Sequence, residues 1–325
     1  MRKMKPRVIV TRRWPAAVEQ ILAERFDATF NEGDAPLSPT QLKAAFLNFD
    51  AILPTVSDKL PAGIFPDADI RTRLLANFGV GFSHIDIDLA KARGITVTIT
   101  PGVLTDCTAD IAMSLLLSVA RRTGEGERQL RAGGWAGWCP THMIGTKVTG
   151  KTLGIIGMGR IGKAMARRAH FGFGMDVVFY NRSKVDDGET RAMGARQLAS
   201  IDDVLAEADF VSLHCPGGAE NRHLINAERL GAMKRGAFLI NTARGDVVDQ
   251  KALVAALREG KIAGAGLDVY DGEPAVPAAL IETENVVLLP HLGSASEETR
   301  VAMGMRAVEN LVAFFEGRPV PDRVV

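Results

Sequence analysis

The sequence predicts an α/β protein built on two doubly wound parallel sheets. Short apolar runs, suited to strands buried on both faces, alternate with helix-forming stretches along most of the chain. One of these runs ends in a glycine-rich turn, Gly157-Met158-Gly159-Arg160-Ile161-Gly162, that opens a helix. The length, 325 residues, is that of about two domains.

Arg7-Val8-Ile9-Val10-Thr11 reads as the first strand, and Pro15 to Phe26 as a helix with proline at its start. Leu42 to Phe49 reads as a second helix, leading into the strand Ala51-Ile52-Leu53. A strand over Leu74 to Phe78 breaks at Gly79-Val80-Gly81. A short helix, Ile87 to Ala92, is closed by Gly94, and Ile95 to Ile99 is the next strand. Pro101-Gly102 then punctuates the chain. Thr105 to Arg122 reads as a long helix with Asp106 and Asp110 near its start and arginines at its end, as the helix dipole favours. Its apolar residues cover more than one side, which predicts burial between layers or subunits. Gly124 to Gly150 reads as irregular and carries Trp135 and Trp138. So long an excursion is poorly suited to self-burial, and a subunit interface is expected there.

A second strand–helix series starts at Thr152. Strands are expected over Val177–Tyr180, Asp209–His214, Ala237–Asn241, Ala263–Asp268 and Val286–Leu289. Asp249 suits the N-cap of a helix over Lys251–Glu259, and Ser294 or Ser296 that of a final helix ending near Glu316. That last helix is expected to return to the first domain. The substrate domain is then residues 1–101 with 292–325. The dinucleotide-binding domain is 102–291, with a dimerisation segment over about 102–147.

Composition narrows the function classes. The net charge of +1 gives no electrostatic case for nucleic acid or an acidic membrane. The longest mainly apolar run, Ile111 to Ala120, is too short to span a bilayer, and Val8-Ile9-Val10 too short for a signal segment. A cytoplasmic protein is expected. Cys107, Cys139 and Cys215 have no metal-site spacing, and they read as small buried hydrophobes in a reducing compartment. No metal site is expected.

The glycine turn carries the first chemistry. Gly157 permits the tight turn, Gly159 lets a pyrophosphate approach the backbone, and Gly162 lets the helix pack close to the strand. The phosphates then lie at a helix N-terminus, where free N–H groups favour negative charge. Dinucleotide enzymes that use NAD place an acidic residue at the end of the next strand, for the adenosine ribose. Here that strand ends in Asn181-Arg182-Ser183. Asn181 removes the charge that would repel a 2′-phosphate, Arg182 offers a planar contact for one, and Ser183 adds a hydroxyl. NADP is therefore expected over NAD.

Three later segments set polar residues at strand ends, where open α/β sheets bind ligands. They are Asn241-Thr242-Ala243-Arg244-Gly245, Leu267 to Pro274, and Leu289 to Ala295. Arg244 supplies a permanent cation, His291 a proton near neutral pH, and Glu273 an orienting anion. Taken singly, each also suits a structural ion pair or a satisfied core histidine, and five other histidines are available.

The ordered set resembles the D-isomer-specific 2-hydroxyacid dehydrogenases. It comprises Asn77-Phe78-Gly79-Val80-Gly81, the glycine turn, Leu213-His214-Cys215-Pro216, Asn241 to Gly245, Gly266 to Val269 with Glu273-Pro274, and Pro290-His291-Leu292-Gly293. Within that family Asn181-Arg182-Ser183 and Trp138 look most like the glyoxylate/hydroxypyruvate reductases. The resemblance implies a flavodoxin-like substrate domain, a Rossmann cofactor domain, a homodimer and a site in the interdomain cleft. It assigns Arg244, Glu273 and His291 to catalysis. The backbone of Val80 and Gly81, with Arg244 and the partner-reaching Trp138, is assigned to the substrate. For the cofactor it implies Thr108, the turn residues Gly157 to Gly162, Asn181 to Ser183, His214 to Pro216, Thr242, Ala243, Asp268, His291 and Gly293. The expected reaction is NADPH-dependent reduction of a small 2-oxo acid, glyoxylate or hydroxypyruvate. The alternatives are an NAD-linked dehydrogenase of another 2-hydroxy acid, or a dinucleotide-sensing binding module without turnover.

Overall fold

A computed structural model describes residues 4–325. The chain forms two compact units: one runs up to Leu104 and resumes over Ala295–Val325, the other is Thr105–Ser294.

The first unit opens with β1 (Arg7–Val10), α1 (Ala16–Arg25), β2 (Asp27–Phe30), α2 (Pro39–Asn48), β3 (Ala51–Leu53), β4 (Leu74–Ala76), α3 (Ile87–Ala92) and β5 (Thr96–Thr98). Its strands pair in parallel in the order β2-β1-β3-β4-β5. The central strands are apolar throughout because both faces are covered. Val8, Val10, Leu53 and Leu74 pack on one side with Val18 and Leu22 of α1. Ile52, Leu75 and Val97 pack on the other with Leu42 and Phe46 of α2. α2 starts at Pro39, earlier than its apolar residues suggest, because Ser38 and Gln41 close a capping box ahead of it. β2 has no counterpart in the sequence reading. Asp-Ala-Thr-Phe lacks the apolar pattern of a strand, and pairing with β1 at the sheet edge creates it.

The second unit contains α4 (Thr105–Arg121), α5 (Thr123–Arg131), β6 (Thr152–Ile156), α6 (Arg160–Phe173), β7 (Asp176–Tyr180), α7 (Gly188–Ala192), β8 (Arg196–Gln197), α8 (Ile201–Glu207), β9 (Phe210–Leu213), α9 (Ala227–Ala232), β10 (Phe238–Asn241), α10 (Gln250–Arg258), β11 (Gly264–Leu267), α11 (Ala278–Ile281) and β12 (Val286–Leu288). Its seven strands are parallel, in the order β12-β11-β10-β9-β6-β7-β8. The order reverses between β6 and β9, so the carboxyl ends of these two strands flank a switch point. α4 lies against β11 because Gly264 and Gly266 leave room. A Cβ on Gly266 would stand 2.9 Å from Leu115 Cβ. α10 is capped by Asp249, whose Oδ1 accepts from the N–H groups of Lys251 and Ala252 at 3.0 and 3.1 Å.

α5 corrects the sequence reading, which expects 124–150 to be less regular and loop-like. Two glycines in Thr-Gly-Glu-Gly-Glu argue against a helix. The pairs Arg122–Glu125 and Glu127–Arg131 at helical spacing supply local support, and none of its residues is buried. Residues 132–150 beyond it form turns and loops. Cys139 is exposed, not buried as expected, while Cys107 and Cys215 are partly buried.

α12 (Glu297–Phe315) belongs to the first unit, where it packs on α1 and β4. Ser296 caps it, accepting from the Thr299 N–H. Gly304 is needed at the contact, since a Cβ there would stand 2.7 Å from Val18. Among the described residues, no helix is long and apolar enough to cross a membrane.

Candidate active site

The glycine turn sits at the switch point of the second unit. Gly157 takes φ +98°, and a Cβ there would lie 2.8 Å from the backbone of His214 and Cys215 at the end of β9. A Cβ on Gly162 would stand 2.3 Å from Gly157 O. These two positions accept only glycine. Gly159 differs, because nothing lies within 4 Å of where its Cβ would be. It heads α6, whose N-terminus has no side-chain cap. Open space over uncapped helix N–H groups is what a pyrophosphate requires. Arg160 is exposed, Ile161 partly buried and Met158 buried.

Asn181 at the end of β7 ties this turn to the next loop. Its Oδ1 accepts from the Met158 N–H at 3.2 Å, and its Nδ2 donates to Ser183 O and Oγ at 3.1 Å each. Gln197 of β8 braces the same loop from behind, donating to Asn181 O and Ser183 O. Arg182 projects from it, largely exposed, and pairs with Glu220 at 2.9 Å.

The loop after β9 carries His214, Cys215 and Pro216. His214 Nε2 lies 2.9 Å from Ser212 Oγ, and burial pushes its pKa down to about 4, so its ring is neutral at pH 7. Burial likewise pushes the Cys215 thiol up to about 11, which leaves it unreactive at neutral pH. Asp246 anchors the loop, its Oδ2 accepting from the Gly218 N–H at 2.9 Å.

The remaining residues cluster at the ends of β10, β11 and β12. Glu273 Oε1 accepts from the Tyr270 N–H at 2.8 Å, and its Oε2 faces His291 Nδ1 at 2.8 Å. Burial alone would raise the Glu273 carboxyl. The hydrogen bond and charge of His291, the Tyr270 N–H and the Arg244 charge together outweigh it and hold the carboxyl below its ordinary value. The carboxylate therefore stabilises the fold above the ordinary glutamate range, and that contribution fades as pH falls through the lowered value. His291 takes φ +58°, a left-handed conformation uncommon for a residue with a Cβ.

Asp268 fixes that turn. Its Oδ1 accepts from the Leu292 N–H at 2.6 Å and its Oδ2 from the Gly293 N–H at 2.7 Å. Burial raises the Asp268 carboxyl, against the pull of these two donors and of His291. Gly293 is closely surrounded. A Cβ there would lie 3.2 Å from Asp268 and 3.4 Å from Thr108. Asn241 shapes the adjoining loop, accepting from the Ala243 N–H and donating to Arg244 O. Burial lowers the Arg244 guanidinium, while the charges of Glu273 and Asp246 favour its cationic form. Thr242 Oγ1 is buried without a hydrogen-bond partner among the described residues. An orphaned buried donor at the carboxyl end of β10 fits a bound polar cofactor better than a closed core.

Comparison with known proteins decides the class. Residues 113–293 match the D-isomer specific 2-hydroxyacid dehydrogenase, NAD binding domain. A glyoxylate reductase of Korarchaeum cryptofilum is 46% identical over 323 residues, spanning 99% of this chain and 96% of that protein. The chain belongs to the D-isomer-specific 2-hydroxyacid dehydrogenase family. The glyoxylate reductase of Thermococcus kodakarensis is similar at 44% identity, over 99% of this chain and 96% of that one. Among solved structures, the NADPH-dependent glyoxylate/hydroxypyruvate reductase of Sinorhizobium meliloti, in complex with NADP and malonate, matches with a TM-score of 0.87. It is 36% identical, and the match covers 99% of this chain and 97% of that one.

This dehydrogenase is thus an oxidoreductase with an NAD-binding domain. Its second unit brings Arg244, Glu273, Asp268 and His291 to one end of its sheet. Val80 and Gly81 lie in the first unit, on the bend after β4. Trp138 stands 81% exposed in the excursion after α5. The sequence reading missed Tyr270, Asp246 and Gln197. Each acts through a hydrogen bond to a residue that local spacing does not reveal.

Proposed function

We propose that this dehydrogenase reduces glyoxylate, and by the same site hydroxypyruvate, to the 2-hydroxy acid with NADPH. The Glu273–His291 hydrogen bond, at 2.8 Å beside a cationic Arg244, carries this reading. Bound NADPH supplies the hydride that reduces the carbonyl carbon. Protonated His291 donates from Nε2 to the forming alkoxide, because Glu273 holds Nδ1 and stabilises the imidazolium. Arg244 neutralises charge developing on the carbonyl oxygen and orients the substrate. The backbone N–H groups of Val80 and Gly81 receive the substrate carboxylate. Gly157 to Gly162 and Thr108 hold the phosphates, and Asp268 with the His214–Pro216 and Thr242–Ala243 loops borders the nicotinamide half.

Asn181, Arg182 and Ser183 support NADPH over NADH. Arg182 is already paired with Glu220, so a 2′-phosphate competes with that carboxylate for the same guanidinium. Initial rates with a panel of 2-oxo acids and both coenzymes test the assignment. Arg182→Ala should cut the NADPH/NADH ratio of kcat/KM about 10-fold. An unchanged ratio would reject the 2′-phosphate role.

Leu130, Trp135, Trp138 and Ile144 are all more than half exposed on α5 and the excursion that follows it. That apolar surface supports a homodimer in which a second copy covers it. Sedimentation should give a dimer at micromolar concentration and a weaker one for Trp138→Ala. A monomeric wild type would sink this assembly.

A further inference from the structure

Asn77 lies at the end of β4, fully buried, and none of its amide atoms is idle. Nδ2 donates to Gly79 O and to Gly81 O, at 3.1 Å each. Oδ1 lies 3.1 Å from His84 Nε2. The Asn77 N–H donates to Thr98 O at 3.0 Å, so the residue is pinned to β5. The Thr100 N–H makes a second bond to Gly79 O, at 3.0 Å.

The planar trans peptide converts these bonds into a direction. In each peptide unit the carbonyl and the following N–H point opposite ways. Two carbonyls drawn inward by Asn77 therefore turn the N–H groups of Val80 and Phe82 outward. Among the described residues, no backbone carbonyl accepts from either group. Outward N–H groups gathered on a bend make a concavity that favours an anion, and Val80 is one of the two donors assigned to the carboxylate.

We propose that Asn77 is a positioning residue for substrate binding, whose amide holds the Gly79–Gly81 bend so that the Val80 N–H is presented to the carboxylate of the 2-oxo acid. This rests on the reading that a 2-oxo acid is the substrate and that the bend receives its carboxylate. Asn77 touches neither substrate nor coenzyme; it acts through the backbone it holds. Loss of the amide frees two carbonyls to rotate and lets the N–H groups turn away. The penalty falls on the carboxylate and spares the coenzyme, whose glycine turn belongs to the other unit.

The test uses the NADPH-loaded full chain with glyoxylate as substrate and oxalate as a non-reacting dicarboxylate probe. Asn77→Ala should raise KM for glyoxylate and Kd for oxalate ~10-fold or more, with kcat within ~3-fold of wild type. The Kd for NADPH should stay within ~2-fold of wild type. Asn77→Ser keeps one donor and should recover part of the loss, giving a KM only ~3-fold above wild type. Where Asn77→Ala does not fold, the serine variant decides. KM and oxalate Kd at wild-type values in either folded variant would overturn the role. So would a fall in kcat at wild-type KM, which is what lost folded protein produces. A wild type that binds NADPH yet reduces no 2-oxo acid would remove the functional reading itself, and this role with it.

Discussion

Replacing His291 with alanine lowers kcat for glyoxylate by at least ~100-fold, while the Kd for NADPH changes far less. The imidazole is the group best placed to give a proton to the forming alkoxide. Its Nδ1 is held by Glu273, and Glu273 is held in turn by the Tyr270 N–H. The Asp268 carboxylate pins the turn just after it through Leu292 and Gly293. The ring is thus fixed on both sides of a left-handed residue, an arrangement that only surrounding structure sustains. Steady-state rates with parallel coenzyme titration check the prediction. Wild-type turnover in the variant would remove His291 from the chemistry.

Replacing Arg244 with alanine lowers kcat/KM by ~1,000-fold, in line with the loss of a principal donor to a developing oxyanion. Arg244→Lys recovers only part of this, because a point charge does not reproduce a planar fork. The guanidinium is partly buried, which lowers its pKa, yet the charges of Glu273 and Asp246 favour its cationic form. Its removal also leaves Glu273 with one fewer countercharge, so thermal unfolding should accompany the kinetics. An activity loss matched by lost folded protein, with normal rates per folded molecule, would contradict the catalytic role.

What the sequence reveals divides along a physical line. Gly157 and Gly162 are legible because backbone geometry at a strand–helix turn excludes other residues there. Asp249 is legible because an N-cap acts within three residues. The inner strands of both sheets are legible because burial on two faces demands unbroken apolar runs. Edge strands β2 and β8 and helix α5 are not, since pairing with a neighbour makes the strands and surface ion pairs support the helix. At the site, Arg244, Glu273 and His291 are visible as polar residues at strand ends, though each alone has an ordinary structural reading. The supports are not visible. Tyr270 and Asp268 hold Glu273 and the His291 turn, and Asn77 holds the bend of the first unit, through bonds that involve backbone atoms, and a backbone atom leaves no mark in a sequence. Asp268 shows the difference well. The family pattern points it at the nicotinamide, whereas the fold also spends both its oxygens on holding the turn that carries His291.

In the proposed reaction a proton-donating imidazole, a carboxylate behind it and a guanidinium beside it convert a 2-oxo acid as NADPH is oxidised. The most direct measurement mixes purified wild type with NADPH and glyoxylate, and follows coenzyme oxidation and product together. One glycolate should form for each NADPH consumed, over many turnovers. Coenzyme that binds the glycine turn but is never oxidised, with glyoxylate or any other 2-oxo acid, would contradict it.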